Sequence, residues 1–343
     1  MTFDGWDLNA VWFVLIGVLF AGYALLDGFD LGVGALHLFT RSDEHRRVML
    51  NAIGPVWDGN EVWLVTGGGA LFAAFPGVYA TVFSGFYLVF VLLLVGLIFR
   101  AAAIEFRSKQ PTRGWRLIWD VAFCLSSVGS SLLIGIALGN IAWGVPLDER
   151  GEFCGTLGSL FGPYALMLGV TTLALFMMHG SLYALLKTEP PLHDQVRGWV
   201  NGCIIFFIMC YAVTTMATLL YVPHMAGRVR ANPWLFSIVL VNMLAIANIP
   251  REVHHARDGR AFISSGVALA ALLGLFGLEM FPHLVVSRPE AAHSLTIYNA
   301  ASSRRTLAIM LTIAGIGVPA VLAYTLGIYW VFRGKVRLNR TSY

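Results

Sequence analysis

Apolar runs of roughly 20 residues, each long enough to cross a bilayer core of about 30 Å, recur along the whole chain. Only 12% of the 343 residues are charged and 57% are hydrophobic, against about 25% charged in a soluble domain. Most of the surface must therefore face something other than water. The pattern predicts an all-α membrane protein with about nine transmembrane helices, near 8–38, 51–75, 78–106, 115–145, 161–187, 196–222, 233–249, 261–282 and 307–333. Charged or Pro/Gly segments such as Arg41-Ser42-Asp43-Glu44, Phe75-Pro76-Gly77 and Glu189-Pro190-Pro191 separate the runs. Met1 to Asp7 lack a basic segment and carry Asp4 and Asp7. The first run is also too long for the core of a cleavable signal, so it is expected to stay in the mature protein.

Lysine and arginine set the orientation. With the N-terminus outside, sixteen fall in inner segments: Arg41, Arg46, Arg47, Arg107, Lys109, Arg113, Arg116, Lys187, Arg197, Arg251, Arg257, Arg260, Arg333, Lys335, Arg337 and Arg340. Six fall outside: Arg150, Arg228, Arg230, Arg288, Arg304 and Arg305. The expected arrangement is an outer (periplasmic) N-terminus and a cytoplasmic C-terminus. The net charge of +4 is mostly this bias; no single basic stripe points to nucleic acid. Tyr23-Ala24-Leu25-Leu26 recurs as Tyr183-Ala184-Leu185-Leu186. That offset of 160 would relate helices one to four with helices five to eight. Two four-helix bundles plus one peripheral helix fit the count. The corresponding divisions are 1–145 for a first bundle with a buried charge cluster, 146–282 for a second bundle, and 283–343 for a loop, the peripheral helix and a basic cytoplasmic tail. Cys124, Cys154, Cys203 and Cys210 form no CxxC pair and are expected to act as small buried hydrophobes.

Ionisable groups inside membrane spans are costly and suggest function. Asp27 and Asp30 lie in the first predicted helix, Asp58 and Glu61 in the second, Arg100 in the third and Asp120 in the fourth. Counting at 1.5 Å per residue puts Asp30, Asp58, Arg100 and Asp120 at one level, roughly 9–12 Å from the inner surface. Asp58 and Glu61 are three apart and can share a helix face. Two readings stand side by side. Arg100 could neutralise one or two carboxylates and pin helices together. Alternatively, because five carboxylates face one arginine, the surplus is protonated, hydrated or paired with another chain. Apolar surroundings favour a protonated carboxyl, which suits proton exchange. Of the histidines only His179 sits well inside a predicted helix, so a haem held by two histidines of this chain is not expected; His179 reads as a satisfied core residue. Glu279 reads as an interfacial charge. Tryptophans near helix ends, including Trp6, Trp115, Trp143, Trp199, Trp234 and Trp330, fit an aromatic belt.

Several strings resemble subunit II of the cytochrome bd-type quinol oxidases. They are Asp27-Gly28-Phe29-Asp30-Leu31-Gly32-Val33-Gly34; Trp57-Asp58-Gly59-Asn60-Glu61-Val62-Trp63-Leu64 followed by Gly68-Gly69-Ala70-Leu71-Phe72-Ala73-Ala74; Phe83-Ser84-Gly85-Phe86-Tyr87; Phe99-Arg100; Trp119-Asp120; and Gly139-Asn140. Ser294-Leu295-Thr296 and Ala301-Ser302-Ser303 with Leu307 extend the resemblance toward the C-terminus. The short chain and the short connection between helices six and seven resemble the cyanide-insensitive branch. The resemblance implies a multi-pass protein of the bacterial cytoplasmic (inner) membrane within a complex that oxidises quinol and reduces O2 to water. It implies two b-type haems and a haem d, all ligated by a partner, subunit I, in a heterodimer. It allows for small single-helix subunits and for a structural quinone held in subunit II, as in some members. The family's Trp-Asp-Gly-Asn aspartate lines a cytoplasmic proton entry, which transfers here to Asp58, with Glu61 beside it; Asp27, Asp30, Arg100 and Asp120 are expected to form the buried charge cluster. A proton-coupled secondary transporter is the alternative, and a purely structural scaffold for a catalytic subunit is a third possibility.

Overall fold

The computed structural model describes residues 5–338; Asp4 and Arg340 lie outside the described residues. Twelve α-helices carry the architecture: α1 Leu8–Leu36, α2 Asp43–Ile53, α3 Trp57–Ala74, α4 Pro76–Gly85, α5 Tyr87–Phe106, α6 Arg113–Trp143, α7 Pro163–Lys187, α8 Leu192–Tyr221, α9 Gly227–Ala231, α10 Phe236–His254, α11 Asp258–Met280 and α12 Arg304–Val331. Eight of the described helical segments are long and apolar enough to cross a membrane. The remaining predicted span, 51–75, contains α3, which is too polar to qualify because it carries Asp58, Asn60 and Glu61 in its first turns. It nevertheless runs against α1.

Two predicted spans are each broken in two. Gly54-Pro55-Val56 interrupts the second, since proline cannot donate a helical hydrogen bond and restricts the residue before it. Before the break lies the short helix α2, only the end of which falls within the predicted span; it is capped by Ser42 Oγ, which accepts from the His45 amide at 3.1 Å. α2 is amphipathic and tucks Met49, Leu50, Ala52 and Ile53 into the core. Phe86 interrupts the third span between α4 and α5. α10 runs on through Pro250 to His254, beyond the expected end.

Neighbouring packing joins α1 to α3 and α6, and α5 to α6; in the second half α7 packs with α8 and α11, and α10 with α11. The halves meet along α1–α7, α6–α7 and α1–α11. The closest approach is at Gly32, where a Cβ would come within 1.8 Å of the Phe176 carbonyl oxygen, and at Gly180, where it would come within 2.5 Å of the Val33 nitrogen. Small residues allow such backbone contact between membrane helices. The two Tyr-Ala-Leu-Leu strings do not occupy equivalent places: Tyr183 is near the Lys187 end of α7, whereas Tyr23 is mid-way along α1.

The larger core cluster draws on α1, α2, α5, α6, α7, α8, α10 and α11 at the end of the bundle that holds α2. A second cluster at the opposite end joins the start of α1, the α3–α4 corner and the loops at Val145, Val285 and Ile297. There a small hairpin forms, with β1 His283–Val285 antiparallel to β2 Leu295–Thr296; such short strands leave no alternation in the sequence. α12 is peripheral, with Leu307 alone buried. Ser302 ties its base to α3, its amide and hydroxyl donating to the Ala74 and Ala73 carbonyls at 2.8 and 2.6 Å. Three cysteines are at least partly buried, but Cys154 is exposed in the α6–α7 loop.

Gly32→Ala is expected to destabilise the protein by about 1–3 kcal/mol through overpacking, while Gly274→Ala, whose Cβ meets nothing within 4 Å, stays within about 0.5 kcal/mol of the parent. Thermal inactivation midpoints in detergent check this; equal midpoints would count against the α1–α7 contact.

Candidate functional site

Arg100, fully buried on α5, is the centre of the site. Its Nη1 donates to Asp27 Oδ1 of α1 at 2.6 Å and its Nη2 to Glu61 Oε2 of α3 at 3.1 Å. A guanidinium presents a planar fork of donors that suits such two-sided pairing. Asp30 lies one turn beyond Asp27, fully buried in the field of Arg100 and Asp27. It makes no direct bond to Arg100; its Oδ2 accepts from Asn60 Nδ2 at 2.7 Å. Asp27 Oδ2, Asp30 Oδ1 and Arg100 Nε are buried with no protein partner.

Asp58 stands apart from this cluster. The break at Pro55 makes it the second residue of α3 rather than one deep within a longer helix, so its carboxylate sits where the helix dipole favours negative charge. It is exposed, along a stripe of outward-facing residues that continues through Val62, Val65, Gly69 and Phe72. Glu61, one turn on, is 21% exposed and bridges the outer face and the buried arginine.

Asp120 is buried too, but in a different network nearer the α2 end. Its Oδ1 accepts from His37 Nε2 and from Arg107 Nε, each at 2.5 Å; its Oδ2 accepts from Arg46 Nη1 at 2.9 Å and Arg107 Nη2 at 3.2 Å. Arg107 Nη2 and Arg116 Nη1 each reach Asp43 at 2.8 Å. The charged groups that depth counting put at one level are bonded in two separate networks: Arg100 with Asp27 and Glu61, Asp30 beside them, in one, and Asp120 in the other, with Asp58 bonded into neither. The difference arises because Arg46 and Arg107, read as loop charges that set orientation, fold back over Asp120. Both ring nitrogens of His179 are engaged: its Nε2 lies 3.0 Å from the Leu25 carbonyl and its Nδ1 2.7 Å from Ser265 Oγ. Glu279, at the end of α11, is buried and accepts from the Arg228 and Val229 amides at 2.8 and 2.9 Å.

Residues 8–332 match the family model described as cytochrome bd terminal oxidase subunit II. The cytochrome bd-I ubiquinol oxidase subunit 2 of Escherichia coli (strain K12) is 35% identical over 364 residues, covering 96% of this chain and 95% of that protein. The cytochrome bd ubiquinol oxidase subunit 2 of Bacillus subtilis (strain 168) is 34% identical over 337 residues, covering 96% and 97%. The chain belongs to the cytochrome bd subunit II family. It is thus a multi-pass inner-membrane protein and part of a respiratory oxidoreductase complex with a partner subunit I. A chain in the structure of the bd oxidase from Geobacillus thermodenitrificans has the same fold, with a TM-score of 0.77 at 16% identity over 96% of this chain and 98% of that one.

Three participants escape a sequence reading of this subunit. Asn60 sits inside the quoted Trp57–Leu64 string, but an amide between two carboxylates carries no charge signal. His37 lies at a helix end, where histidine reads as solvated. Tyr329 is on the peripheral helix, and its hydroxyl donates to Asn60 Oδ1 at 2.8 Å; nothing in its local sequence marks it.

Arg100→Gln strands the buried Asp27 carboxylate and is expected to cost about 3–5 kcal/mol. Adding Asp27→Asn recovers a large part of that loss, because both charges are then gone. Thermal midpoints and yields of the two variants decide it, and equal values would contradict the pairing.

Proposed function

We propose that this chain is the subunit of a quinol:O2 oxidoreductase that ligates no haem, and that α3 brings cytoplasmic protons to the Arg100 cluster. The arrangement that carries this reading is a graded series on two helices. Asp58 is exposed, Glu61 is partly covered, and Asp27 and Asp30 are fully buried. Glu61 and Asp27 are both bonded to Arg100. Buried polar atoms without protein partners are commonly satisfied by internal water. Water at Asp27 Oδ2, Asp30 Oδ1 and Arg100 Nε would join the carboxylates into one hydrogen-bonded path.

The outward stripe of α3 supports a partner at this face. A carboxylate turned toward lipid is costly, so Asp58 calls for a polar cover above the apolar Val62, Val65 and Phe72. Subunit I supplies that cover and ligates the two b-type haems and the haem d; both ring nitrogens of His179 are engaged within this chain and do not suit iron. The Lys/Arg bias puts the α2 end, and hence Asp58, on the cytoplasmic side, with the C-terminus there too and the N-terminus periplasmic. Reduction of O2 at a haem in the membrane consumes protons, and drawing them from that side makes the reaction electrogenic.

In the assembled oxidase, Asp58→Asn is expected to slow quinol-driven O2 consumption by about tenfold, equivalent to 1.4 kcal/mol on the barrier, with haem spectra unchanged. Parental turnover and proton uptake in that variant would falsify the entrance and leave a scaffold role for this face.

A further inference from the structure

Helix α12, the least buried of the described membrane-length helices, reaches the charge cluster through one side chain. Tyr329 of α12 donates its hydroxyl to Asn60 Oδ1 at 2.8 Å. The other end of the same amide, Nδ2, donates to Asp30 Oδ2 at 2.7 Å and to the Leu26 carbonyl at 3.3 Å. Asn60 is 2% exposed and Asp30 fully buried. An amide has one acceptor end and one donor end. Here two acceptors face one end and a single hydroxyl donor faces the other, so only one orientation satisfies all of them.

The position of Tyr329 is itself fixed. Its ring meets Phe29 edge to face at 6.5 Å, and Phe29 stacks on Tyr183 at 3.9 Å. Just beyond it, the carbonyls of Phe332 and Gly334 accept from Lys187 Nζ at the end of α7. The Val336 amide donates to the Lys187 carbonyl at 2.8 Å, and Lys335 Nζ to the Thr188 carbonyl at 2.5 Å. The segment after α12 thus straps that helix to α7 and holds Tyr329 against Asn60.

We propose that Tyr329 is a positioning residue for proton transfer at Asp30: by holding the Asn60 amide in one orientation, it fixes the hydrogen bond that Asp30 receives. The role in transfer rests on the proton-path reading above. Without the hydroxyl, Asn60 Oδ1 loses its donor and the amide is free to turn. It then presents to Asp30 an oxygen, which accepts from a protonated carboxyl, in place of an N–H that donates to either form. The proton equilibrium of Asp30 changes, although Tyr329 takes no proton itself.

The test uses the intact oxidase with Tyr329→Phe, which keeps the ring against Phe29, and Tyr324→Phe as the comparison, since Tyr324 is 67% exposed on the same helix. Infrared difference spectra identify the Asp30 carboxyl bands as those lost in Asp30→Asn. Tyr329→Phe is expected to shift these bands and to move the pH profile of turnover by about half a unit, the size expected for one altered hydrogen bond. Tyr324→Phe leaves both in place. Unmoved Asp30 bands, or lower turnover with an unmoved pH profile, overturn the proposal. A shift of the Asp30 bands alongside normal proton uptake in Asp58→Asn separates the two ideas: the Asn60 contact then stands and the entrance at Asp58 fails.

Discussion

The buried Arg100–Asp27 pair is the constraint on which the first half of the molecule depends. A guanidinium at 0% exposure among membrane helices is tolerable only when carboxylates meet it. Those carboxylates come from α1 and α3, so one side chain on α5 fixes the register of three helices at once. The same pairing leaves an imbalance. Asp27, Asp30 and Glu61 surround one arginine, and a low-dielectric site cannot hold that surplus of negative charge without protons or water. What pins the helices also makes the site exchangeable.

The Asp120 network shows the opposite balance. Arg46, Arg107 and Arg116 face Asp43 and Asp120, with His37 as a further donor. Cations outnumber carboxylates and every Asp120 oxygen is bonded. This network staples the end of α1, the start of α2, the end of α5 and the first turns of α6. It holds the helix ends, while in the Arg100 cluster Asp27 and Asp30 each keep a carboxylate oxygen without a protein partner. Two charge clusters a short distance apart thus differ in chemistry because of their charge balance, not their residue types.

The all-α membrane fold, the buried positions of Asp27, Asp30, Arg100 and Asp120, and the family were legible in the sequence because they rest on local signals: apolar length, charge at membrane depth and contiguous motifs. The division into two networks was not, because depth counting merged them. That counting assumed that the second span begins near residue 51, whereas the chain turns at Pro55 and sets Asp58 at the start of α3. Arg46 and Arg107 entered that reading only as inner-segment charges that set orientation, though Arg107 is 1% exposed in the fold. Contacts that join residues far apart, such as Tyr329 with Asn60, depend on how α12 lies across α1 and α3 and have no local periodicity to reveal them. Two connections between predicted spans contain α2 and the β1–β2 hairpin, whose elements are too short to show a clear pattern.

An experimental structure of the assembled complex with ordered water tests the central claim most directly. The account predicts Asp58 covered by the haem-bearing partner, with water linking it through Glu61 to Asp27, Asp30 and Arg100. Asp58 turned toward acyl chains, or a dry cluster sealed from it, would contradict the account.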